Sequence, residues 1–263
     1  MIYQDISGVP AFSAQVFRGK SSEYCVLIPV INEGERIHAE LQRAKAALID
    51  KYADIILCDG GSTDGSMETQ TLKTLPVAAC LTKLGPGKQG AQLRMGIYYA
   101  LQRGYTGIIT IDGNNKDSIE SVPLLIAKLR EGYDLVQGSR FVKGGKAENT
   151  PLARYIAVRC IHAPVISLTA HARFTDTTNA FRAYSANYLL HDAVQPLRDI
   201  FMGYELLAYL SVRASQLGMR TCEVPVERVY PKGQPTPTKI KGFSGNRELL
   251  RVLFANAKGA YNP

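Results

Sequence analysis

The chain has 263 residues, enough for one large α/β unit with a full core or for two small ones. Hydrophobic residues make up 46% and charged residues 21%, which excludes a disordered or fibrous chain. A formal charge of +8 calls for an anionic partner, whether nucleic acid, an anionic membrane surface or a phosphate-bearing substrate; without tryptophan or interleaved basic and aromatic residues, nucleic acid is not expected.

No apolar run reaches the roughly eighteen residues of a membrane-spanning helix. Residues 1–17 carry acids early and lack the basic start and apolar core of a signal peptide. Cys25, Cys58, Cys80, Cys160 and Cys222 are odd in number and scattered, which predicts free thiols in a reducing, cytoplasmic setting and no zinc site.

In chain order, residues 1–22 show little periodicity and predict a loosely packed lead-in. Residues 24–30 read as a strand, and Asn32-Glu-Gly-Glu35 opens a helix with Ile37, Leu41, Ala44 and Leu48 at helical spacing. A second strand, 54–58, runs into Asp59-Gly-Gly-Ser-Thr-Asp-Gly65, with a helix over 67–75. A third, 77–82, precedes the loop Leu84-Gly-Pro-Gly-Lys-Gln-Gly90 and a helix over 91–103. The fourth opens Gly107-Ile-Ile-Thr-Ile-Asp-Gly-Asn-Asn-Lys-Asp117, where a β-branched run breaks into a polar cluster. A helix around Val122, Leu125, Ile126 and Leu129 and a strand over 134–137 lead to Gly138-Ser-Arg-Phe141. This alternation predicts an α/β fold, Rossmann-like, with a mostly parallel sheet and helices on both faces.

Past residue 150 the rhythm lengthens to helices over 152–168 and 201–216, separated by a polar piece at 174–184. A strand over 221–226 contains Pro225 and belongs at a sheet edge. Residues 228–245, rich in proline, glycine and lysine, predict a mobile loop. In the tail, 246–257, Leu249, Leu250 and Leu253 share a face opposite Arg247, Arg251 and Lys258, a pattern that suits either packing on the core or resting on an anionic bilayer. One domain over residues 1–263 is expected.

Three strand ends carry polar groups: Asn32 and Glu33; Asp59 with Gly60 and Gly61; Asp112 with Gly113 and Asn114. In a parallel sheet these ends share one rim, where ligands bind. Carboxylates accept from ribose or base, and glycines admit a close backbone, so the set suits a nucleotide. Taken singly, Asp112-Gly113 also reads as a turn and Asp59 as a helix cap. Lys88 in its glycine-rich loop suits a phosphate, although the P-loop pattern is absent. Histidines 38, 162, 171 and 191 lack ligand spacing.

Leu27-Ile-Pro-Val-Ile-Asn-Glu33, Asp59-Gly-Gly-Ser-Thr-Asp-Gly65, Ile111-Asp-Gly-Asn114 and Gly138-Ser-Arg-Phe141 resemble, in order and spacing, the family 2 glycosyltransferases of the GT-A fold. The branch most resembled is the dolichyl- or polyprenyl-phosphate sugar transferases, through Thr175-Asp-Thr-Thr-Asn-Ala-Phe-Arg-Ala-Tyr184 and Arg228-Val-Tyr230; the similarity covers roughly residues 24–255. The resemblance implies an inverting glycosyltransferase whose half at about 24–145 holds a UDP- or GDP-linked sugar, and whose half at about 146–263 serves the acceptor.

On that resemblance the nucleotide sugar meets Pro29, Asn32, Glu33, Asp59, Gly61, Lys88, Asp112, Gly113 and Asn114. The family's Asp-X-Asp holds a divalent cation; here Asp112 and Asn114 would hold Mg²⁺ or Mn²⁺ with one negative charge fewer, so weaker metal affinity is expected, with Asp117 as a substitute ligand. Asp112, Asp176 and Arg182 are the implied catalytic residues. Asp176 is the general base where the acceptor is a hydroxyl; a phosphate is already ionised and needs orientation instead. Arg182 would pair with the diphosphate or with Asp176, and Glu205 matches a recurring family acid. Arg140, Lys143, Arg228, Lys232 and Lys239 are implied for the acceptor phosphate, although residues 228–241, with three prolines, run longer than the family pattern. The implied acceptor is a polyprenyl phosphate, reached by a protein peripheral to the inner membrane face, and a homodimer is compatible. Two rivals stand beside this reading. A nucleotidyltransferase would place a glycine-rich basic loop where this chain has Asn32-Glu33; a non-catalytic nucleotide-sugar-binding subunit or sensor would account for Asn114.

Overall fold

The computed structural model describes residues 2–3, 8–232 and 242–263. The expected strands are present as β3 (Tyr24–Val30), β4 (Asp54–Asp59), β5 (Val77–Lys83), β6 (Gly107–Thr110) and β7 (Leu135–Ser139). β5, β4, β3 and β6 are neighbours and run parallel, with Cys25 beside Asp54 and Val30 beside Asp59 in the β3–β4 register. Their apolar runs are continuous because both faces are covered. Val26, Ile28 and Val30 point into one layer with Ile37 and Leu41, while Cys25 and Leu27 point into the other with Leu93 and Ile97. That period of two is the pleat itself.

The covering helices are α1 (Glu35–Ala46) and α2 (Thr69–Lys73), then α3 (Gln89–Gln102) and α4 (Val122–Arg130). Helix α3 lies unusually close to the sheet. A Cβ on Gly96 would fall 2.6 Å from Cys58 Sγ and 3.0 Å from a Leu27 methyl, so only glycine fits there. The close approach lets Gln92, at the same end of α3 as Gln89, donate to both Val30 O and Cys58 O at 2.7 Å. Two strand ends are thereby clamped together beneath the rim.

Strands correct the sequence reading in two places. The lead-in is β2 (Phe12–Val16), antiparallel to β5, with β1 (Ile2–Tyr3) outside it. Phe12 and Ala14 are buried on alternate positions, too short a pattern to stand out. The polar piece at 174–184 ends in β9 (Arg182–Ser185), antiparallel to both β6 and β7, and it lies between them. On its far side β9 pairs with β7, and β7 in turn with β10 (Thr221–Pro225), an edge strand as its proline required. A separate pair is formed by β8 (Lys146–Glu148) and β11 (Glu227–Val229).

The remaining helices are α5 (Leu152–Ile156), continued through a π-helical stretch, Ala157–His162, into α6 (Ala163–Ala170), then α7 (Ala186–Leu190), α8 (Glu205–Gln216) and α9 (Gly242–Ala257). Helix α8 starts at Glu205 rather than 201, because Glu205 Oε2 accepts from Gly203 N at 2.6 Å and holds residues 201–204 in a turn. Val252 and Leu253 of α9 are buried, and Asn256 Nδ2 donates to Ala208 O at 2.9 Å, so the tail packs on α8. Its Leu250 and Phe254 remain exposed. Among the described residues no helix is long and apolar enough to cross a membrane.

Candidate active site at the sheet rim

The carboxyl ends of β3, β4 and β6 bring the expected polar groups to one rim. Asp59, 2% exposed, accepts from Ser62 N (2.8 Å) and Ser62 Oγ (2.7 Å), fixing the glycine-rich turn. Asn32 sits at φ 48°, with its carboxamide oxygen accepting from Thr63 N at 2.8 Å and its own N–H donating to Ser62 Oγ. The first two strand-end loops are thus knitted together. Gly61, at φ 95°, would present a Cβ to open space, so its conformation, and not crowding, requires glycine. Pro29 lies in β3 opposite Cys58, and Glu33 pairs with Arg36 at 2.8 Å. Gly113 leaves no free room: a Cβ there would sit 3.0 Å from Ile28 Cγ2.

Asp112 follows β6 with its side chain 22% exposed. Its Oδ1 accepts from Gln89 Nε2 at 3.0 Å and its Oδ2 from Arg228 Nη2 at 3.2 Å. Burial works to raise its pKa, but Arg228, Lys116 and these two bonds hold the carboxyl below its ordinary value. Arg228 also reaches Asp117, Nη1 to Oδ2 at 2.5 Å, with Asp117 wholly enclosed. Burial raises the Asp117 pKa against the pull of Arg228. Lys116, 4% exposed, places Nζ 5.1 Å from the Tyr230 ring; burial and Arg228 lower its pKa to about 8, opposed by Asp112. Arg154 joins the same ring, donating to Tyr230 Oη at 3.3 Å. Beneath the loop, Glu40 accepts from Asn115 N at 2.8 Å and is fully buried, which raises its pKa well above the usual carboxylate value.

Other expected residues stand elsewhere. Asp176 is fully buried and bound by Arg140 through two prongs, Nε to Oδ2 at 2.6 Å and Nη2 to Oδ1 at 2.8 Å. Arg140 N donates to the same carboxylate at 3.2 Å. Asp176, expected as a general base, and Arg140, expected as a phosphate ligand, are thus paired with each other in this structure. Arg182, 2% exposed, donates to Asn179 O, Thr177 O, Leu207 O and Ser211 Oγ, and so ties β9 to α8. Lys88 is exposed, 3.8 Å from Glu248, and Lys143 and Lys232 are exposed as well. Lys239 and the rest of residues 233–241 lie outside the described residues. Gln89, Lys116, Tyr230 and Arg154 were not among the expected site residues; the available signals were adjacency to Lys88 for Gln89, to Asp112 for Lys116 and to Arg228 for Tyr230.

A divalent ion takes oxygen ligands, among them one or two carboxylates. Among the described residues no three His, Cys, Asp or Glu side chains cluster for one. Asn114 Oδ1 and Asp117 Oδ1 are buried without a hydrogen-bond partner, but Asp117 is enclosed and paired through its other oxygen. What remains is a carboxylate shared with a guanidinium and one neutral carboxamide, beside two cations, a set that fits Mg²⁺ or Mn²⁺ poorly.

The sheet order and rim are those of a GT-A glycosyltransferase. Glucosyl-3-phosphoglycerate synthase from Mycobacterium tuberculosis, in complex with Mn²⁺, UDP and phosphoglyceric acid, shares the fold with a TM-score of 0.62 at 17% identity, over 91% of this chain and 79% of that one. The glycosyl transferase family 2 model matches residues 25–196, and the chain belongs to that family of enzymes. Among its relatives, an undecaprenyl-phosphate mannosyltransferase from Micrococcus luteus is 30% identical over 76% of this chain and 81% of its own length. A polyprenol monophosphomannose synthase from Mycolicibacterium smegmatis is 27% identical over 89% and 87%.

Proposed function

We propose that this glycosyltransferase moves a sugar from a UDP- or GDP-linked donor to the phosphate of a polyprenyl lipid, with inversion at the anomeric carbon. The donor lies along the rim, its nucleoside toward Asn32, Glu33 and Asp59 and its diphosphate toward Asp112 and the loop carrying Gln89. One acceptor phosphate oxygen attacks the anomeric carbon as the bond to the diphosphate breaks. The cations around Tyr230 offset the charge gathering on the departing group. No base is required for an ionised phosphate, which accords with Asp176 being occupied by Arg140.

One observation carries the choice of a lipid acceptor. The helical run from α5 into α6 leaves Leu152 (73%), Tyr155, Ile156, Ile161 and Leu168 (76%) exposed, and Arg154 in its first turns bonds to Tyr230. An apolar surface of this kind beside a cluster of cations matches a phosphate on an isoprenoid chain. The exposed Leu250 and Phe254 of α9 extend the apolar material, and the basic net charge suits an anionic inner leaflet. The relatives from Micrococcus and Mycolicibacterium bear names of the same acceptor class. The test is a screen of radiolabelled nucleotide sugars with a short polyprenyl phosphate, run beside soluble sugar and phosphate acceptors. Label should enter the organic phase; transfer only to a soluble acceptor would overturn the lipid assignment.

A further inference from the structure

A departing diphosphate carries charge that a cation must face. Two side-chain cations already stand at the end of β6. Arg228, 7% exposed, is 3.2 Å from Asp112 and 2.5 Å from Asp117; Lys116, 4% exposed, lies against the other edge of the cluster at Tyr230. Arg228 is shared between Asp112 and Asp117, and Lys116 is the second cation holding the Asp112 carboxyl down, so these two acids and two bases sum to zero. Two carboxylates around a divalent ion are neutral as a set, and so is one carboxylate with one ammonium. Asn114 removes an acid and Lys116 adds a base, so the pair of residues preserves that balance with no ion. A divalent ion at Asp112 would instead place two further charges beside a buried guanidinium and ammonium, where the low dielectric strengthens repulsion.

We propose that this chain holds the diphosphate of its donor without a divalent cation, the positive field coming from Lys116 and Arg228. The inference rests on the nucleotide-sugar reading above and concerns how that same rim is charged. It does not depend on the sugar or the acceptor.

Calorimetric titration of the full chain with UDP and with GDP, in EDTA and then in Mn²⁺, tests it. The Kd for whichever nucleotide binds should agree within about twofold between the two conditions, and Lys116→Gln should weaken it about tenfold, a loss of about 1.4 kcal/mol. Adding Asn114→Asp to Lys116→Gln should create a response to Mn²⁺ absent from the wild type. Binding by the wild type that appears only with Mn²⁺, or tightens about tenfold with it, would overturn the inference while leaving the nucleotide reading standing. Absence of binding to both nucleotides in both conditions would overturn the nucleotide reading itself, and this inference with it. Thermal unfolding of each variant checks its fold; should Lys116→Gln fail to fold, the wild-type comparison alone decides.

Discussion

Arg140 grips Asp176 through two parallel hydrogen bonds of 2.6 and 2.8 Å, and neither side chain is more than 2% exposed. Removing one charge from such a pair strands the other in the interior, at a cost of about 3–5 kcal/mol. Asp176→Ala should therefore lower the unfolding midpoint sharply. A double change, Arg140→Met with Asp176→Leu, should regain part of that loss because no charge is left unpaired. If Asp176 were instead a catalytic base, Asp176→Asn would keep its melting temperature and lose only turnover, and a melting curve beside a rate measurement separates the cases.

Arg182 is the second buried guanidinium with a structural task. Its donors reach three carbonyls and Ser211 Oγ across β9 and α8. Lysine carries the charge but not the fork, so several of those acceptors would lose their partners. Arg182→Lys should destabilise by roughly 2 kcal/mol while the nucleotide Kd stays near the wild-type value. An equal melting temperature in the two proteins would refute the assignment.

Gly90 is the second residue of α3, next to the Gln89 that donates to Asp112. A Cβ there would meet Phe201 O at 2.5 Å and Gly203 O at 2.7 Å, both main-chain atoms unable to swing aside. Gly90→Ala should cost about 1–3 kcal/mol and, by shifting Gln89, weaken nucleotide binding as well. Chemical denaturation and calorimetry on one preparation would read both effects.

His162 links folding to acidity. Burial and then Arg182 lower its pKa from 6.5 to about 4, opposed by Asp176, and its Nδ1 lies 3.3 Å from Thr177 Oγ1. Because the folded value is the lower one, the unfolded chain takes up the proton first. This contribution is intact above about pH 6.5 and fades toward pH 4, amounting to about 3 kcal/mol. Between those limits, His162→Gln should show a shallower fall of unfolding free energy than the wild type; identical slopes would dismiss the effect.

The rim was legible because it obeys a local rule: an apolar run ending in a carboxylate or carboxamide marks where a parallel strand meets its ligand. Asp59, Asn32 and Asp112 followed from that rule and share the edge formed by β3, β4 and β6. The partners of Asp176 and Arg182 did not, because Arg140 and Ser211 are distant in sequence and nothing local marks a carboxylate as already paired. Strand β9 was hidden for a related reason. Its arginine looks like a loop residue until α8 supplies the acceptors that bury it.

The position of β9 also governs how the chain can be made. It is inserted between β6 and β7, which do not pair with each other, and β7 has as its other neighbour the still later β10. A ribosome therefore releases β3, β4, β5 and β6 well before the residues that close their sheet. Until residue 185 emerges, β6 presents an unpaired edge around Ile109, the kind of template on which strands of other molecules add. A chain cut before residue 182 would leave that edge of β6 open permanently.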